Sequence, residues 1–83
     1  MHIHFWTRPV ELRTYLGDLR RITSTEEAVK FLLMNWPLTA HGQPMRGQQR
    51  FVMAIRNATS VDDARSTFIE ACMSIGLQVI EGS

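Results

Sequence analysis

Eighty-three residues and 9.5 kDa fit one domain, residues 1–83, because a chain this short cannot divide its core. A hydrophobic fraction of 45% beside 20% charged residues excludes intrinsic disorder and low-complexity fibres, and nine basic against eight acidic residues, a formal +1, exclude a polybasic arm or an acidic tail. The longest uncharged apolar run, Phe51 to Ile55, is far short of the roughly 20 residues a membrane-spanning helix needs.

The first expected element is a strand. Val10, Leu12 and Thr14 alternate with Glu11, Arg13 and Tyr15, the period of a half-buried strand, with Pro9 near its start. Gly17-Asp18 breaks the run and Leu19 to Thr23 resumes it, which reads as a β-hairpin. Ser24-Thr25-Glu26-Glu27 is a capping box, so a helix begins there, with Ser24 accepting from the Glu27 amide and the Glu27 carboxylate reaching back to the Ser24 amide. Pro37 ends that helix after Trp36. Ala28, Leu32 and Trp36 form one stripe, and Val29, Phe31, Leu33 and Met34 extend apolar surface around most of the circumference, which calls for cover on more than one side.

A loop over 38–43 leads to a second helix, for which Pro44 suits the first turn. Gly47, Phe51, Ala54, Ile55 and Ala58 share one face and Arg46, Arg50, Met53 and Asn57 the other, with Asn57 placed to end the helix in a left-handed turn. Ser60 with Asp63 caps a third helix whose core stripe is Val61, Ala64, Phe68, Ala71, Cys72 and Ile75, ending at Gly76. Leu77, Val79 and Ile80 then form a short last strand. The expected fold is α+β: an N-terminal hairpin, three helices and a C-terminal strand completing a small antiparallel or mixed sheet that rests on the first helix.

Phe5, Pro9-Val10, Trp36-Pro37, Ala64-Arg65, Phe68-Ile69 and Gly76, in that order and spacing, resemble the bacterial family called domain of unknown function nine hundred and eighty-two. The resemblance covers almost the whole chain and implies neither activity nor site residues. Gly47, where alanine is expected, and Asn57, where glycine is expected, depart from the pattern.

Three groups of residues raise questions of chemistry. His2 and His4 would share one face of an exposed edge strand, and His41 could complete a three-nitrogen site, but no known ligand spacing links them and no metal or cofactor is assigned. Cys72 falls on a core stripe, where a small thiol packs rather than reacts, and as the single cysteine it points to a reducing, cytoplasmic setting. Ser24 and Ser60 are helix caps, and Asp62 and Asp63 diverge around their helix. No catalytic residue is assigned, and the chain reads as a non-enzyme.

Arg46, Arg50 and Arg56, with no acid among them, give the second helix a charge of +3, and Arg20-Arg21 adds a basic spot on the hairpin. Together they suggest anion or nucleic-acid contact. The second and third helices even have helix-turn-helix spacing, but Asp62 and Asp63 would then face a polyanion. The alternative partner is a protein. Phe31, Met34, Ile69 and Met73 lie off the core stripes, Phe5 and Trp6 add apolar surface, and the surplus predicts a homodimer built on these residues or on edge pairing of the N-terminal strand. Trp36 itself is expected to bury its indole against the hairpin rather than to wall a pocket.

Overall fold

Alternation around Val10 and Leu12 does produce the sheet. The computed structural model describes residues 3–81 and has, in chain order, β1 (Phe5–Arg13), β2 (Leu19–Ser24), α1 (Thr25–Asn35), α2 (Gln48–Arg56), α3 (Val61–Ser74) and β3 (Gln78–Glu81). The sheet is fully antiparallel in the order β2-β1-β3, so the expected pairing of the last strand with the hairpin is present. The second half of the N-terminal strand is therefore central: Glu11–Arg13 is bonded to β2 on one side and β3 on the other, while β3 does not reach the first half, Phe5–Val10. His4 precedes β1, so the edge strand expected there is corrected.

Val10, Leu12 and Ile22 are completely buried on the inner face. That face rests on α3 as well as α1: α1 lies against β2, while α3 lies against β1 and β3. α2 packs on α1 and α3 rather than on the sheet, forming an outer layer. The core centres on Phe68, whose ring meets Trp6 at 5.7 Å and, edge-on, Phe31 at 5.9 Å.

Local chemistry accounts for the boundaries. The hairpin turn is closed by the Thr14 amide donating to the Asp18 carbonyl (2.8 Å), with Gly17 at φ 91°. Ser24 Oγ accepts from the Glu27 amide (3.1 Å), but the Glu27 carboxylate reaches one residue further back than a capping box requires, accepting from the Thr23 amide at 2.6 Å. Ser60 Oγ caps α3 through the Asp63 amide (3.1 Å). At the other end of α3, Gly76 donates to the Met73 carbonyl and Leu77 to the Cys72 carbonyl, the paired bonds of a Schellman ending that turns the chain into β3.

Four local expectations give way. Pro9 lies within β1, not at its start, in a segment where the register with β2 shifts between Phe5 and Val10. The missing regularity there is supported from α3: buried Arg65 donates from Nε to the Arg8 carbonyl at 2.6 Å. Pro44 pairs with Leu38 in an isolated bridge, and α2 starts only after Gly47, whose φ of 108° excludes the alanine expected there. Asn57 ends α2 at φ −98°, so it needs no left-handed conformation. The buried face of α2 is Gln48, Val52 and Ile55, with Phe51 half-buried and Ala54 exposed.

Trp36 is buried, but under the 37–47 segment rather than against the hairpin. Its indole Nε1 donates to the Met45 carbonyl (2.8 Å), its ring lies 6.0 Å from that of Phe51, and its Cζ2 would stand 3.5 Å from a Cβ at Gly47. A tryptophan followed by proline fixes the exit of α1, and the returning chain covers it. Gln48 completes the junction by donating from Nε2 to the Leu32 carbonyl (3.1 Å), one of the α1 carbonyls left without an intrahelical partner.

Candidate functional site

A concavity lies between α1 and the α2–α3 connection. It is a groove of about 550 Å³. Val29 and Leu33 come from one wall, Ile55, Ala58, Val61 and Ala64 from the other, and these make an apolar floor. Polar atoms stand at the rim: Lys30 on α1, Arg56 at the end of α2, Thr59 and Ser60 before α3, and His4 with Glu26 at the start of α1.

The helical period explains the walls. Glu26, Val29, Lys30 and Leu33 are three or four residues apart and share a flank of α1, next to the buried Ala28 and Leu32. The short 57–60 connection lets α2 and α3 diverge there, and its small side chains leave the space open.

His4 lines the groove beside Thr25. Its ring Nδ1 donates to Glu26 Oε2 at 2.7 Å, its amide to Glu26 Oε1 at 2.9 Å, and its carbonyl accepts from the Thr25 amide at 3.0 Å. The chain entering β1 is thus strapped across the first turn of α1. The His4 ring bond, aided by the His4 amide, holds the Glu26 carboxyl below its ordinary 4.5 against a smaller opposing push from burial. Because the folded value is the lower one, the stabilisation is present above pH 4.5 and is lost as the pH falls through the folded value. We expect His4→Ala to move the Glu26 titration upward in carbon-detected NMR, and an unmoved midpoint would refute the strap as its cause.

The basic residues do not form the surface their spacing suggested. Arg46 and Arg50 are exposed on the outer layer, with the Arg50 guanidinium 5.9 Å from the centre of the Phe51 ring. Arg56 is about 120° further around α2 and belongs to the groove with Lys30. Arg20 and Arg21 are neighbours on a strand and point to opposite faces, so they are not one spot. Arg20 turns inward beside the helices, its guanidinium 5.4 Å from the centre of the Phe31 ring. α3 buries the stripe Ala64, Arg65, Phe68, Ala71 and Cys72, and its first turn leaves Asp62 and Asp63 exposed.

The expected interface residues divide. Phe31 is only 2% exposed and is corrected to a core residue, since its position on α1 reaches Phe68 and is lidded by Arg20. Ile69 is half-buried and packs against the core. Met34 and Met73 are exposed, at 73% and 66%. Trp6 enters the core, its indole donating to Thr25 Oγ1 (3.0 Å), while Phe5 stays exposed.

Cys72 is completely buried, and burial pushes its thiol up to about 12, in accord with packing rather than reactivity. His41 is in the 39–43 turn, and His2 lies outside the described residues.

The family model described as "Protein of unknown function (DUF982)" matches residues 8–79, nearly the whole chain. The chain belongs to the DUF982 family. No curated protein and no solved structure matches it. For this DUF982 protein the matched span runs from the β1 irregularity at Arg8 to Val79 of β3, so it takes in most of β1, all three helices and the groove walls apart from His4. Lys30 and His4 joining Arg56 is the grouping sequence spacing did not reveal, because it depends on α1 and the strand entrance meeting the α2–α3 connection.

Proposed function

We propose that this DUF982 domain is a non-catalytic protein-interaction module that self-associates as a homodimer. The observation that carries the reading is the exposure, by about half or more, of Leu33 and Met34 on α1, Met45 in the connection and Met53 on α2. Met73 on α3 adds to it. Large flexible apolar side chains left in water favour association, and methionine suits a surface that must adapt to a partner. The non-catalytic part is supported by occupation of the reactive groups: Ser24 and Ser60 cap helices and Cys72 is packed away. No helix among the described residues is long and apolar enough to cross a membrane, and the free thiol favours a cytoplasmic setting.

Sedimentation at tens of micromolar tests the proposal. A species at twice 9.5 kDa is expected, reverting to 9.5 kDa in a Met34→Glu, Met73→Glu variant that keeps its helical signal. A single 9.5 kDa species for the parent overturns self-association. Micromolar binding of mixed-sequence duplex DNA that weakens steeply with salt, and depends on Arg46 and Arg50, would replace this reading with nucleic-acid binding.

A further inference from the structure

We propose that the groove between α1 and the α2–α3 connection binds a small amphiphilic carboxylate, a medium-chain acyl or arylalkyl acid. Three features select that chemistry. The volume of about 550 Å³ is in the range of small-molecule sites, and the floor offers only apolar side chains to the body of a ligand. The rim carries two cations, Lys30 and Arg56, which make no ion pair among the described residues, against one carboxylate, Glu26, whose two oxygens already accept from the His4 ring and amide. A guanidinium can take a carboxylate through two parallel hydrogen bonds, and the ammonium adds a second positive charge to the rim. Finally, His4, held on Glu26, is part of the lining beside Thr25, and a ligand with one apolar tail and one charged head can lie along the wall between it and Arg56.

The groove is built within one protomer and shares only Leu33 with the residues proposed for self-association. Its test is a titration of the full-length, nitrogen-15-labelled chain with octanoate kept below its micellar range, followed by amide shifts, with octylammonium as the charge-reversed probe. Octanoate is expected to shift amides of Lys30, Leu33 and Arg56 to Val61 in a saturable way, and octylammonium to bind at least about three-fold more weakly, the scale of one exposed charge contact. Lys30→Gln and Arg56→Gln should each weaken octanoate about three- to five-fold. Leu33→Glu, at a half-exposed position that leaves the fold intact, should abolish binding by putting a carboxylate among the apolar floor residues. Equal binding of the two probes, shifts centred instead on Met34 or Met73, or octanoate affinity unchanged in all three variants would overturn the proposal.

Discussion

Phe68→Ala is expected to lower the unfolding free energy by about 3–5 kcal/mol, the cost of deleting a large buried aromatic whose site cannot collapse. A domain of 83 residues has roughly 4–12 kcal/mol in total, so the variant should be largely unfolded or melt far below the parent. Phe68 is completely buried and sits where the two layers meet, with Trp6 from β1 on one side and Phe31 from α1 on another. Urea unfolding followed by circular dichroism measures the loss. Met73→Ala on the same helix is the control: at 66% exposure it should shift stability by less than about 0.5 kcal/mol in the monomer. Equal effects would mean that the core is centred elsewhere.

Trp36→Ala should cost a similar amount, about 3–5 kcal/mol, but with a different distribution. The indole joins the end of α1 to the returning chain through the Met45 carbonyl and the Phe51 ring. Its removal leaves the outer layer supported by Gln48, Val52 and Ile55. Amide exchange should therefore accelerate most across 38–56, with the sheet amides less affected. Trp36→Phe, which retains a ring but leaves the Met45 carbonyl without its donor, should cost about 1–3 kcal/mol. Uniform acceleration over the whole chain would show that α2 does not open separately.

Both variants test features with unequal visibility in the sequence. Helix starts at Ser24 and Ser60, the glycine ending at Gly76 and the break at Gly17-Asp18 were legible because the atoms that decide them lie within a few residues. The inward alternation of Val10 and Leu12 and the stripe through Ala64, Phe68 and Ala71 were legible for the same reason of periodicity. The order of strands is less local: a terminal strand joining the hairpin could be inferred from the weakness of a lone hairpin, but that it pairs with β1, making β1 central, depends on where α3 ends. Phe31 lies off the stripe of Ala28, Leu32 and Trp36, but α1 is covered by α2, β2 and α3, and a wheel that shows the need for several covers does not say which residue meets which. Trp36 misled in its partner, since a returning loop carries little pattern. The groove depends on Arg56, Lys30 and His4, which are 26 residues or more apart in the chain, and only the packed structure brings them together.

The antiparallel pairing of β1 with β3 has a mechanical consequence. It brings Glu81, at the end of β3, opposite Glu11, and the two strands run so that Phe5 and Glu81 lead off toward the same end of the sheet. Tension between the chain ends therefore pulls the strands apart like a zipper, loading Glu11–Glu81 first, then Leu12–Val79 and Arg13–Gln78, rather than shearing all the rungs at once. The fold should therefore give way to a pulling machine at low force even where its thermal stability is ordinary.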